Sequence, residues 1–334
     1  MRLAGLLFIP AALSAQKPAG HWHIGLTYHD YGITIGNAAR TNGLRLNFLD
    51  ADLDRVNGIN MTIWKPSEPF SGTVNGLSVG GAPGAEELNG ISVGIAGVVA
   101  ERRARWITLG GLGVVSNDRL EGLAVGGLGT VANGDAVGLL IGGLGTVANR
   151  NLGGIALSAL GTVANRDLSG FAFAGLGTVA NRNISGIAIG GLATVANGDI
   201  TGLAIGGLAT VANGDARGAS IGGLASVTNG SLQGLGIGGL ALVADEELRG
   251  IGLALARLDS PQIRGWSSAL YVKTRELHGL SIAAYNRVRG PQVGLTIGIY
   301  NSARVLNGLQ LGVLNRAQNN RGIWKMLPLV NAHF

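Results

Sequence analysis

Apolar and small residues alternate in short runs along this chain, and the runs recur. In the stretch Leu203–Gly218, Leu203 and Ile205 flank Ala204, which is the period of a strand. Gly206-Gly207 follows and permits a tight bend. Leu208 and Val211 are apolar again. Asn213-Gly214-Asp215 then marks a turn, because Asn and Gly tolerate positive φ. Several Gly in every run, with a turn signal after each, argue against helix. The pattern predicts two short strands per repeat.

The repeat is sixteen residues long. Gly-Leu-Gly-Thr-Val-Ala-Asn begins at Gly127, Gly143 and Gly175, and Gly-Leu-Ala-Thr-Val-Ala-Asn at Gly191 and Gly207. From Ile107 to Gly250 the period runs without insertion. Outside this block a kernel survives, Gly, Leu or Ile, any residue, apolar, Gly, as in Gly32–Gly36, Gly76–Gly80, Gly90–Gly94, Gly294–Gly298 and Gly308–Gly312. The chain therefore divides into an N-terminal segment 1–15, irregular repeats over 16–106, nine uniform repeats over 107–250, and irregular repeats with a terminal strand over 251–334. Trp106 and Trp266 flank the uniform block, as capping residues or as ordinary core aromatics.

Two all-β architectures suit this period. The favoured one is a β-solenoid with 16-residue coils; the alternative is an outer-membrane β-barrel. A barrel built from hairpins should carry a double-length period and an aromatic girdle, and neither is evident. A solenoid stacks identical columns. Leu128, Leu144 and their equivalents to Leu240, with Val131 to Val243, are expected to fill its core. The Ala, Gly and Thr columns would then face outward. Asn133, Asn149, Asn165, Asn181, Asn197, Asn213 and Asn229 form a column whose amides can bond from coil to coil. For the barrel speaks the closing segment Leu327–Phe334, an amphipathic stretch ending in Phe.

Composition narrows the function more than the fold. With 59 Gly, 8 Pro, no Cys and 13% charged residues in 334, the chain is neither collagen-like nor an ordinary enzyme core. Zero Cys removes disulfides, thiolate metal sites and a lipid-anchoring cysteine. A formal charge of +6 is spread along the chain, and no basic run interleaved with aromatics points to nucleic acid. Arg2, the apolar stretch Leu3–Leu13 and the small residues at Ser14-Ala15 resemble a secretory signal. The expected location is therefore exported: cell surface or outer membrane, with the periplasm as the other destination.

The C-terminal repeats carry a fuller motif: Gly279-Leu-Ser-Ile-Ala-Ala-Tyr-Asn286, Gly294-Leu-Thr-Ile-Gly-Ile-Tyr-Asn301 and Gly308-Leu-Gln-Leu-Gly-Val-Leu-Asn315. This resembles bacterial exported surface-repeat proteins built from Gly-Leu-x-apolar-Gly-x-x-Asn units. The closing Leu-Pro-Leu-Val-Asn is similar to how such proteins end. The resemblance implies an exported location and no particular activity. The uniform block departs from it, since its Asn falls four residues later.

Candidate chemistry is sparse. Asp50, Asp52 and Asp54 alternate and could face a hard cation, though Arg55 stands where a calcium loop needs Gly. His21 and His23, with His29 and Asp30 nearby, could meet a transition metal. Surface placement is the simpler reading of both sets. The Thr column, Thr130 to Thr210, suits structural hydroxyls, an ordered-water face being the alternative. No cofactor is expected. A contact edge is expected where the columns vary: Arg150, Arg166, Arg182, Asp199, Asp215, Arg217 and Arg249. The sequence thus supports a non-catalytic exported scaffold whose partner is a surface glycan, a protein or another copy, with outer-membrane association as a further expectation. A barrel with a pore or scaffold role is the alternative, and a polysaccharide-active β-helix a minor one.

Overall fold

The computed structural model describes residues 13–14, 22–64, 66 and 70–334. The expected signal segment, apart from Leu13–Ser14, and His21 lie outside them. The chain is nearly all-β and forms a β-solenoid of about 15 turns with coils near sixteen residues; it is not a barrel. The pairing decides this. Ile200–Gly206 pairs in parallel with Ala216–Gly222, and Ala209–Ala212 with Ala225–Thr228, each residue meeting the one sixteen later. Neighbouring barrel strands joined by short turns would be antiparallel. Two compact units form, 1–150 and 151–334.

One coil of the second unit shows how the sequence dictates the shape. The strand Ile200–Gly206 is broken in direction at Gly202, whose φ is +119°. A Cβ there would collide with the carbonyl oxygen of Gly186 one coil below, so only Gly fits. The break also shifts the alternation. Ile200 points inward, then Leu203 and Ile205 outward, with Ala204 and Gly206 inward between and after them. Gly207-Leu208 bends the chain, Ala209–Ala212 forms the second strand, and residues 213–215 turn back.

The inside of the coil is the reverse of the expectation. Ala204, Thr210 and Ala212 are fully buried, whereas Leu208 is 47% exposed and Leu160, Leu176, Leu192, Leu224 and Leu240 are similarly exposed. The Val column is half-buried on the outer surface. The reason is the narrowness of the lumen. The hydroxyls of Thr194 and Thr210 reach across it to the carbonyl oxygens of Ile205 and Ile221 at 2.6 Å each. A space spanned by one threonine holds methyls and hydroxyls; leucine enters it at Leu242 and Leu258, beside Gly236 and Gly252, which give up their own side chains. This also removes the ordered-water reading of the Thr column, since those hydroxyls are spent inside. The unbroken file of large buried side chains is at the wide corner, where Leu152, Leu168, Ile184, Ile200, Leu232 and Leu248 stack with at most 1% exposure. Each contributes about 1.5–3 kcal/mol of burial.

The far coils are shorter. From Gly250 the positive-φ glycines recur at Gly265, Gly279, Gly294 and Gly308, steps of 14 or 15. There the lumen carries Asn instead of Thr. Asn286 donates to Asn301 Oδ1 at 2.7 Å and to the Ile297 carbonyl at 3.1 Å; Asn301 donates to Asn315 Oδ1 at 2.8 Å and to the Leu311 carbonyl at 2.9 Å. These cross-lumen bonds are the counterparts of the threonine bonds.

Each unit closes one end with a reversed strand. In the first, His23–Tyr28 and Tyr31–Gly36 form an antiparallel hairpin around His29-Asp30, whose φ values of 50° and 65° suit a tight β-turn. Tyr31–Ile35 then pairs in parallel with Asn42–Leu46 of the first coil. In the second, Met326–His333 lies antiparallel on Gly308–Arg316. Both covers occupy an edge that would otherwise accept a strand from another copy.

Candidate functional site: the outer columns and the polar edge

The polar edge is built from turn residues. In the second unit Asn181 donates to Asn165 at 2.9 Å, Asn197 to Asn181 at 3.1 Å, Asn213 to Asn197 at 2.9 Å and Asn229 to Asn213 at 3.0 Å. In the first, Asn133 donates to Asn117 and Asn149 to Asn133, both at 2.9 Å. The neighbouring Asp column has its own task. Asp199 Oδ1 accepts the backbone N–H of Asp215 at 2.8 Å, and Asp215 Oδ1 that of Ser231 at 2.9 Å. Each of these stacked carboxylates is thus stabilised by an amide N–H of the next coil, and the charge of Asp215 is met by Arg217.

Most arginines of this edge are engaged too. Arg150 pairs with Asp118, Arg182 with Asp167 at 3.6 Å, Arg217 with Asp215 at 2.8 Å and Arg249 with Glu247 at 3.2 Å. Arg166 is joined through its backbone, its carbonyl accepting the N–H of Arg182. The edge expected to be a contact surface is thus laced largely to itself. Burial pushes the Glu121 carboxyl upward, but the hydrogen bond and charge of Arg105 with the charge of Arg119 outweigh it and hold the group below its ordinary value. Asp259 is lowered likewise, burial being outweighed by Arg257 and Lys273.

The acidic trio is not gathered into a cation site. Asp50 is 2% exposed and faces Arg45, which is fully buried. It also accepts from Asn60 at 3.1 Å, Thr62 at 2.7 Å and Asn47 at 3.0 Å. The guanidinium fills the place a cation would take, and it bonds further to Asn60, Asn37 and the Ala38 carbonyl. Asp54 turns outward to Arg40. Among the described residues no group of three His, Cys, Asp or Glu could hold a metal. His23 sits in the capping hairpin with an unbonded Nδ1, and His29 stacks on Tyr28 at 4.4 Å. Beside the buried Arg45 network lies an open apolar groove of about 890 Å³, lined among others by Trp22, Leu46, Phe48, Met61 and Ile63.

The outer walls hold what the sequence reading missed. The column of Ala241 continues as Arg257, Tyr271 and Tyr285, and that of Val243 as Asp259, Lys273 and Arg287. The rings of Tyr271, Tyr285 and Tyr300 stack at 5.3 and 4.8 Å. Tyr285, Arg287 and Arg289 face outward together because Asn286 and Val288 between them are buried. A search at period sixteen passes over this alignment. Reading each shortened coil from its inner position, Tyr-Val-Lys-Thr-Arg275, Tyr-Asn-Arg-Val-Arg289 and Tyr-Asn-Ser-Ala-Arg304 would have disclosed it.

No family model, curated protein or solved structure matches this chain.

Proposed function

We propose that this protein is an exported, non-catalytic β-repeat scaffold of a bacterial cell surface or outer membrane, acting by presenting a periodic outer face to a partner. The observation that carries this reading is the placement of the large apolar side chains. Leu208 and its equivalents, with the Leu203, Ile205 and Val211 columns, lie on the outside in coil after coil. A wall of exposed Leu, Ile and Val on a monomer far exceeds what water-facing surfaces carry without a partner. The ladders of Asn, Asp and Thr serve stacking and leave the outer columns as the part free to meet something else. Arg2 with Leu3–Leu13 supports export. A surface glycan, a protein, further copies and the outer membrane itself are the partner classes this scaffold would serve.

The test is expression of the full chain in a Gram-negative host, with cell fractionation, protease shaving of intact cells and N-terminal sequencing of the product. Export predicts a mature N-terminus at Ala15 or Gln16 and recovery with the envelope. An unprocessed chain in the cytoplasm would sink the proposal. Release of sugars from envelope polysaccharide by the purified chain would replace the scaffold with the enzyme.

A further inference from the structure

We propose that the C-terminal coils of the second unit dock on an anionic lipid surface. The proposal deepens the scaffold reading, on which it rests for an outer face that meets a partner. It names the chemistry of that partner.

Three rows run side by side along the outside of these coils. The first is an apolar ridge: Leu255 is 70% exposed, Leu270 64%, Ile299 61% and Val313 66%. The second is the row of stacked tyrosines, each following the ridge residue or its equivalent by one position in sequence. The third is cationic. Arg287 and Arg289 follow Tyr285 at alternate positions, and Arg304 stands at the same step after Tyr300 as Arg289 after Tyr285. Alternate residues on a strand are about 6.6 Å apart, so the surface passes from apolar through aromatic to cationic over a short span. Between Leu270, Ile299, Val313 and Ile282, Ile297, Leu311 runs an open apolar groove of about 740 Å³.

The charges are unspent. Over residues 275–334 the basic side chains are Arg275, Arg287, Arg289, Arg304, Arg316, Arg321 and Lys325, against the single acid Glu276. None of the seven is in an ion pair among the described residues, in contrast to most arginines of the polar edge. A bilayer surface presents acyl chains, an interface that favours Tyr, and headgroup phosphates in this same order. A nucleic acid or glycan fits less well. The stacking covers both faces of Tyr285 and one face each of Tyr271 and Tyr300, so the row offers no run of platforms for successive bases or sugar rings, and neither ligand matches the ridge and groove.

The experiment is vesicle flotation of the purified full chain with phosphatidylcholine vesicles, with and without phosphatidylglycerol. The chain should float with the anionic vesicles, less so as salt rises. The triple variant R287Q/R289Q/R304Q should partition roughly 100-fold less, at about one kcal/mol per basic side chain near the surface. Ile299→Ser with Val313→Ser should weaken partition at unchanged charge. These side chains lie outside the lumen, and circular dichroism checks that the fold persists. The control R217Q/R249Q, on the polar edge, should bind as the parent does. Absence of flotation with phosphatidylglycerol, or equal flotation of the triple variant, would overturn the proposal. So would tight binding of dextran sulfate or single-stranded DNA through the same arginines while vesicles are ignored. Loss of vesicle binding with intact export would remove this inference alone. Vesicle binding by a chain that is not exported would remove the scaffold's location and keep the docking surface.

Discussion

Leu242 occupies the space that Gly236 leaves empty. Three coils' worth of alignment explains why. Gly236 takes the inner position of Ala204, and Leu242 that of Thr210, so a small residue has become smaller where its neighbour became larger. A Cβ on Gly236 would lie 3.0 and 3.1 Å from the two methyls of Leu242 and 2.8 Å from Leu232 Cδ1. Gly236→Ala should cost about 1–3 kcal/mol by overpacking, and Leu242→Thr about 2–4 kcal/mol by opening a cavity. The double variant restores the Ala–Thr pair of the coils below and should lose clearly less than the sum. Recovery is incomplete because Leu242 also fills the space beside Gly252. Urea midpoints of the four proteins give the coupling; strict additivity would mean the two positions do not share a lumen.

The positive-φ corner makes an opposite pair of predictions. Gly202→Ala places a methyl against the Gly186 carbonyl at a φ that L residues avoid, and should cost about 2–4 kcal/mol. Trp106 stands in this glycine column, paired with Gly90 and Gly122, at φ +81° and 71% exposed. Trp106→Gly should relieve about 1–3 kcal/mol of strain and bury nothing less. Thermal midpoints should fall for the first variant and hold or rise for the second. A marked fall for Trp106→Gly would show that the indole is held by packing, not against it.

The two asparagine ladders differ in what surrounds them. Asn301 is fully buried and bonded to Asn286, Asn315 and the Leu311 carbonyl. Asn301→Ala strands its partners without water and should cost about 2–4 kcal/mol. Asn213 makes similar bonds on an exposed edge, and Asn213→Ala should cost under about 1 kcal/mol. Chemical denaturation of both variants compares them directly; equal losses would mean that burial does not set the ladder's worth.

Acid should loosen the paired carboxylates. Glu121 and Asp259 are opposed by burial but held below their ordinary values by arginine, and for Asp259 also by Lys273. A carboxyl depressed in the folded state stabilises above its unfolded pKa, near 3.9 for Asp and 4.3 for Glu. That contribution is lost as pH falls through the lower folded value. Thermal midpoints should therefore decline below about pH 4, and Asp259→Asn should flatten part of the decline. An unchanged slope in that variant would remove Asp259 from the cause.

Much of this fold was legible in the residues. The sixteen-residue period, the turn at Asn213–Asp215 and the absence of a double-length period all pointed to stacked coils, and the parallel pairing at that offset agrees. What misled was size. Leucine and valine suggested a core, but hydropathy carries no information on the width of the lumen, which the Gly202 corner and the threonine span set. The motif Asn of the far coils sits in a different column from the turn Asn of the uniform block. Asn286 and Asn301 correspond to Thr210 inside the coil, not to exposed Asn213, because the far coils lack residues at the bend. The tyrosine and arginine rows stayed hidden for the same reason: shortened coils put them out of phase with the uniform block.

Away from its corner column, the uniform coil holds its small residues inside and its large apolar ones outside. The chain has no cysteine, so single substitutions report position without background. Cysteines placed in turn at Ala204, Leu208, Thr210, Val211 and Ala212 should be treated with a water-soluble maleimide under native conditions, free of lipid. Labelling should be rapid at 208 and 211, and at 204, 210 and 212 the thiol should be protected until denaturant is added. Rapid labelling at 210 and 212 with protection at 208 and 211 would contradict this arrangement and return leucine and valine to the core.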